Sequence, residues 1–343
     1  MKEIVLSKPE RFDFRDAAQC RDLEENDVRV RVKRIGVCGT DIHAYYGRQP
    51  FFTYPRVLGH ELGVEVIESA SNDPWLRPGT FCAVEPYLNN PASQASRRGR
   101  TNCCEDLNVL GVHIDGGMRP ELVLPAHKLH TMESLTVDQL ALVETLCIGA
   151  HAVERGRADG KDFCVVIGAG PIGLGCAAFA RNHAGIVAIV DVQESRLAFC
   201  RDAMGIPHTV TIGGDDSEPA LADRLRDISG GDLPSLIIDA TGNACSMAGC
   251  FDLAANGGRI VFAGLFQGDV SFHDPTFHRK ELSILATRNA TAETFRSVMA
   301  AIDSGQVDPE SWIGARIPFD EVPARFAKTV TTQGLIKAVI ELP

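Results

Sequence analysis

The chain has 343 residues, 45% of them apolar and 23% charged, the balance of an ordinary globular protein large enough for two domains. Its formal net charge of −11 argues against a nucleic-acid or membrane-surface partner. Eleven cysteines, odd in number and scattered, do not form a disulfide framework. Those within apolar runs, such as Cys164 and Cys176, read as small buried thiols.

The opening MKEIVLSKPE shows no secretory signal pattern, and no apolar run approaches the roughly 20 residues that span a bilayer. A cytoplasmic location is expected. Residues 1–147 read as short strands punctuated by Gly36, Gly39, Gly47, Gly59 and Gly63 and by prolines, with VRVRVKRIGV alternating like a half-buried strand. A β-rich first domain is therefore predicted. VDQLALVETLCIGAHAVERG reads as helix and leads into KDFCVVIGAGPIGLGCAAFARNHAG, a strand, a glycine turn and a helix. The strand IVAIVDV, the helix ESRLAFCRDAMG and the strands SLIIDATG and GGRIVFAGL follow. Alternating strands and helices over 148–286 predict a doubly wound parallel sheet, and hence an α/β chain. Beyond 287 the pattern loosens into the amphipathic helix TAETFRSVMAAIDSG and a closing strand, GLIKAVIEL.

Gly168, Gly170 and Gly173, with Ala169, Pro171 and Ile172 between them, spell G-x-G-x-x-G directly after the strand FCVVI, and Asp191 ends the next strand 18 residues after Gly173. In that context the motif predicts a dinucleotide site. Gly168 permits the turn, Gly170 lets a pyrophosphate approach the backbone, and Gly173 lets helix and strand pack closely. The helix N-terminus offers free amides to the phosphates. Asp191 accepts from ribose hydroxyls and repels a 2′-phosphate, so NAD is expected over NADP. Arg196 is a further candidate, packing on the adenine or approaching a phosphate, or a solvated helix residue.

Three segments carry possible metal ligands: VCGTDIH (Cys38, Thr40, Asp41, His43), GHE (His60, Glu61) and VETL (Glu144). A thiolate, an imidazole and carboxylates suit zinc, although a single buried Cys or His is more often structural.

With these motifs, GVCGTDIHAYYG, PRVLGHE, LVETLCIGAHAV, VVIGAGPIGLG and FHRKELSILATRNA in order along the chain, the sequence resembles the zinc-containing medium-chain dehydrogenases over essentially its whole length. The resemblance implies a GroES-like catalytic domain interrupted by a Rossmann domain, with 287–343 returning to the first. It implies Cys38 and His60 as direct zinc ligands and Glu61 as a ligand in the manner of the sorbitol-dehydrogenase branch. Glu144 would bind directly or through water, and Asp41 would orient a ligand. It further implies a zinc that polarises the substrate hydroxyl, hydride transfer to the nicotinamide, Thr40 as first proton relay and His43 as outlet. Arg288 and Lys337 would approach the cofactor, Lys337 at its phosphates. Dimers or tetramers are expected by the same likeness.

The chain departs from that family where four cysteines commonly bind a structural zinc. The matching spacing holds Asn90, Ser93, Ser96 and Cys104, so one catalytic zinc and no structural zinc are expected. Glu61 and Glu144 favour a polyol or sugar substrate, and GVHIDGGMRPELVLPA with HRKELSILATRNAT is similar to bacterial dehydrogenases of sugar acids such as L-galactonate and L-gulonate. Arg119 is the candidate for a substrate carboxylate. A threonine-type amino-alcohol dehydrogenase and a non-enzymatic NAD-binding relative are the alternatives. Retention of Cys38, His60, Glu61, Glu144, Thr40 and His43 together argues against the second.

Overall fold

A computed structural model of the chain describes residues 1–49, 52–213 and 218–343, the side chains of Glu218 and Pro219 excepted. Cα packing divides it into one unit of Met1–Thr145 with Ala290–Pro343, and a second of Leu146–Asn289. The boundary falls inside the helix Val137–Gly156. The reading from sequence placed the breaks at 147 and 286.

In the first unit the strand Asp27–Gly36 is the hub of the main sheet. Among the described residues the order is Ile313–Pro318, Lys337–Glu341, Asp27–Gly36, Glu61–Ser69, Phe81–Val84, Leu129–Thr131, with Glu121–Pro125 also paired to the hub. Its alternation works as the sequence suggests: Val28, Val30 and Val32 are fully buried while the intervening arginines turn outward. The closing strand Lys337–Glu341 pairs antiparallel with Asp27–Gly36, with Ile340 opposite Ile35. That pairing ties the end of the chain to the segment just before Cys38. Between the hub and the next strand, the short helix Gly39–Tyr45 carries Thr40, Asp41 and His43.

The second unit is a six-stranded parallel sheet among the described residues. Its order is His208–Thr211, Ile186–Asp191, Phe163–Ile167, Leu236–Asp239, Arg259–Phe262, Ser283–Ala286. Phe163–Ile167 is buried at every position, as a central parallel strand covered on both faces must be. The order reverses at this strand, which places the glycine turn at the switch point of the sheet. The helix Pro171–Ala180 is buried from Gly173 onward and is built from small residues. A Cβ on Gly149 would lie 2.4 Å from the Gly175 carbonyl carbon, so that contact requires glycine.

None of the eleven cysteines forms a disulfide among the described residues. Burial pushes the Cys176 thiol up to about 12 and the Cys164 thiol higher still, so both are inert packing groups. Among the described residues no helix is long and apolar enough to cross a membrane.

Candidate active site

In the first unit, Cys38 ends the hub segment, and His60 and Glu61 begin the adjacent strand. One ligand atom from each of Cys38, His60 and Glu61 lies within 4.8 Å of the others. His60 and Glu61 are 5% and 1% exposed, so the cluster is shielded from water on most sides. Asp41 joins the two ligand-bearing segments. Its Oδ2 accepts the Cys38 amide at 2.9 Å, its Oδ1 accepts the Gly59 amide at 3.4 Å, and Oδ1 stands 3.7 Å from His60 Nδ1. Local packing fixes the second segment. Gly59 has φ +97°, and a Cβ on Gly116 would lie 2.3 Å from the Gly59 carbonyl oxygen. The loop of residues 110–119 therefore presses on the turn before His60 only because both positions are glycine.

Electrostatics favour a cation here. Burial opposes a protonated His60, yet Cys38, Asp41 and Glu144 outweigh it and raise its pKa well above the usual histidine value. Burial raises the pKa of Asp41 and of Glu144. His60 Nδ1 and Glu61 Oε2 are buried without hydrogen-bond partners among the described residues, a state that ordinarily carries a penalty. Orphaned nitrogen and oxygen donors beside a thiol form a donor set that fits zinc.

Two buried carboxylates have different partners here: Glu61 belongs to the cluster, and Glu144 lies outside that set of three but near enough to interact with the charges of His60 and Glu61. Glu61 Oε1 accepts from Lys337 Nζ at 2.6 Å, and Lys337 also donates to the Val37 carbonyl at 3.1 Å. Glu144, on the helix Val137–Gly156, accepts from the Tyr87 hydroxyl through Oε1. Lys337 was expected at the cofactor phosphates. The structure instead makes it the counter-ion of Glu61, because strand pairing carries it beside Val37 and within hydrogen-bond reach of the Glu61 carboxylate.

Arg119 also differs from expectation. Its Nε lies 3.4 Å from Glu3 Oε2 and its Nη2 3.1 Å from Asp115 Oδ2, and Arg15 Nε reaches Glu3 Oε1 at 2.5 Å. The guanidinium neutralises a carboxylate that is 1% exposed, so it is a structural group and not a free fork for substrate. Thr40 is half-buried and His43 exposed, one turn apart on the helix Gly39–Tyr45.

The second unit supplies a separate cradle. Gly168 has φ +100°, and a Cβ on Gly173 would lie 1.7 Å from the Gly168 carbonyl oxygen. A Cβ on Gly170 would meet nothing nearer than Arg196 Nη1 at 3.9 Å. The helix that begins at Pro171 and Ile172 has Gly170 as N-cap and no side-chain cap, which leaves its amides for an anion. Asp191 Oδ2 accepts the Ala169 amide at 2.6 Å and Oδ1 the Gln193 amide at 2.7 Å, which fixes the carboxylate at the end of its strand. A cavity of about 570 Å³ opens beside it, lined by Gly168, Asp191, Val192, Thr241 and Asn243 among others. Arg196 is half-buried with Nε unpartnered, at the edge of the glycine turn. Arg288 is exposed, just past the strand Ser283–Ala286.

At the spacing of the missing cysteines the lobe is hydrogen-bonded. The buried Cys104 thiol accepts the Asn90 amide at 3.2 Å. Ser93 Oγ meets Ser96 Oγ at 3.0 Å, and Asn89 Nδ2 donates to Ser96 Oγ at 3.1 Å. One thiol, two hydroxyls and an amide are a poor zinc set.

Sequence reasoning gave Lys337 another role and missed Tyr87 and the buried trio Glu85, Lys128 and His130, in which both nitrogens reach the Glu85 carboxylate at 2.5 and 3.1 Å. The available signal was a charge inside an apolar run: Glu85 in FCAVEPYL and Lys337 in GLIKAVIEL.

Residues 24–134 match the alcohol dehydrogenase GroES-like domain and residues 171–304 the zinc-binding dehydrogenase domain. The L-galactonate-5-dehydrogenase of Escherichia coli K12 is 38% identical over 92% of each chain. The D-xylulose reductase of Scheffersomyces stipitis is 29% identical over 99% of this chain and 98% of its own. Among solved structures, the RspB alcohol dehydrogenase of E. coli CFT073 in complex with NADH matches with a TM-score of 0.89 at 27% identity, covering 100% of this chain and 99% of that one. With the thiol–imidazole–carboxylate cluster in one unit and the glycine cradle in the other, these matches establish that the chain belongs to the zinc-type medium-chain alcohol and polyol dehydrogenase family.

Proposed function

We propose that the protein oxidises a secondary alcohol of a polyol, sugar or sugar acid to a ketone, reversibly, with NAD. The carrying observation is the Cys38–His60–Glu61 cluster with Glu144 at its side, in a chain whose relatives include an L-galactonate-5-dehydrogenase and a D-xylulose reductase. Zinc, when bound, supplies Lewis acidity at the substrate hydroxyl, and NAD supplies the hydride acceptor.

The protein's own groups do the rest. Cys38, His60 and one or both glutamates hold the metal, and Asp41 orients the two ligand segments. Thr40, two residues after Cys38, takes up the substrate proton, and His43, exposed one turn on, passes it to water. Asp191 selects NAD by offering its carboxylate to the ribose hydroxyls, with the glycine turn and Arg196 at the phosphates or adenine and Arg288 near the cofactor. The cluster at Asn90, Ser93, Ser96 and Cys104 supports a single zinc per chain. Eleven cysteines outside any disulfide fit a reducing compartment such as the cytoplasm, and a homo-oligomer is part of the reading on the family likeness.

Metal analysis of protein purified without chelator tests the site. One zinc per chain, lost in Cys38→Ser and His60→Ala, is expected. Two tightly held zincs, or one that survives both changes, contradicts it.

A further inference from the structure

Tyr87 lies outside every motif that pointed to the site, and its hydroxyl is committed to Glu144 beside the cluster. It is 2% exposed and donates to Glu144 Oε1, whose residue is 5% exposed. The tyrosine has little freedom to leave. Its backbone pairs with Val109 in a short antiparallel ladder. Its ring meets Phe295 edge-on, with centroids 6.3 Å apart at 77°, and Phe295 stacks on His130 at 5.0 Å. His130 in turn is held by Glu85, two residues before Tyr87.

The carboxylate in the cluster and the one beside it are therefore treated differently. Glu61 faces an ammonium, which cancels its charge. Glu144 faces a neutral donor, which stabilises its carboxylate and fixes its rotation without cancelling the charge. We propose that Tyr87 is a positioning residue of the active site: its hydroxyl holds the Glu144 carboxylate in the orientation from which it acts on the metal. This rests on the reading that Glu144 belongs to the metal site.

The test replaces zinc with cobalt, whose visible absorption reports its ligand field, in wild type, Tyr87→Phe, Glu144→Gln and the double variant. Tyr87→Phe removes one oxygen and keeps the ring packing, so the protein folds. Expected for Tyr87→Phe are a changed cobalt spectrum, a fall in kcat on the order of 10-fold or more, and an unchanged KM for NAD. In the Glu144→Gln background the same change should have no further effect. A Tyr87→Phe protein with the wild-type spectrum and kcat, while Glu144→Gln alters the spectrum, overturns the role of Tyr87 and leaves Glu144 in place. A Glu144→Gln spectrum identical to wild type removes Glu144 from the metal site, and the role of Tyr87 falls with it.

Discussion

Replacing Lys337 by methionine would leave the Glu61 carboxylate buried without its cation. The two side chains are 2% and 1% exposed and 2.6 Å apart, so water screens neither. Removing one member of such a pair costs about 3–5 kcal/mol, because the desolvation of the survivor remains while the attraction is lost. An exposed pair such as Arg325–Glu321, with side chains 48% and 47% accessible, contributes under about 1 kcal/mol. Urea denaturation of zinc-free Lys337→Met against zinc-free wild type should show the larger loss, equivalent to a Tm drop of roughly 6–20 °C for a unit of this size.

The pH dependence has a definite sign. Burial pushes the Glu61 pKa up, but Lys337 and His60 outweigh it and hold it below its ordinary value. Its contribution is thus present above about pH 4.3 and lost as pH falls through the lower, folded pKa. Burial works against charged Lys337, but Glu61 and Cys38 raise its pKa. Its contribution is present below about pH 10.4 and lost as pH rises through the folded value. Between those limits the wild type keeps both. In Lys337→Met burial dominates at Glu61, so stability should fall as pH rises from acid to neutral, and adding Glu61→Gln should restore much of it. A single variant within about 1 kcal/mol of wild type at neutral pH, or a double variant no better than the single, refutes the reasoning.

Three further outcomes are expected. Asp191→Ala should narrow the ratio of kcat/KM for NAD over NADP, since removal of a like charge at a phosphate relieves several kcal/mol; comparable wild-type values for the two cofactors would contradict the assignment. His43→Ala should lower kcat at neutral pH by about 10²-fold or less, with partial rescue by added imidazole, and Thr40→Ala should lower it more; an unchanged pH–rate profile for His43→Ala removes that histidine from the relay. Arg119→Met should lower stability through the 1%-exposed Glu3 and leave the KM of a sugar-acid substrate unchanged; a selective rise in KM for aldonates over polyols would return Arg119 to the substrate.

The features legible in the sequence are those made by neighbouring residues. The strand, glycine turn, helix and Asp191 form one contiguous unit whose backbone requirements are met locally, and the structure builds it as read. VDQLALVETLCIGAHAVERG is the helix Val137–Gly156, and GLIKAVIEL contains the strand Lys337–Glu341. Partner choice was not legible. Lys337 and Glu61 are 276 residues apart and Tyr87 and Glu144 57 apart, and only strand order decides which charge meets which. An arginine beside a glycine loop reads equally as a substrate ligand or as the counter-ion of a buried glutamate. For Arg119 the fold selects the second by placing Glu3 and Asp115 against it.

The most direct measurement of the proposed activity is NADH formation with a panel of polyols, aldonates and L-threonine, before and after removal and return of zinc. The account predicts turnover of one or more secondary alcohols among the polyols and aldonates with NAD, its loss on chelation and its recovery with zinc. Turnover that survives complete zinc removal, or oxidation of L-threonine alone, contradicts it.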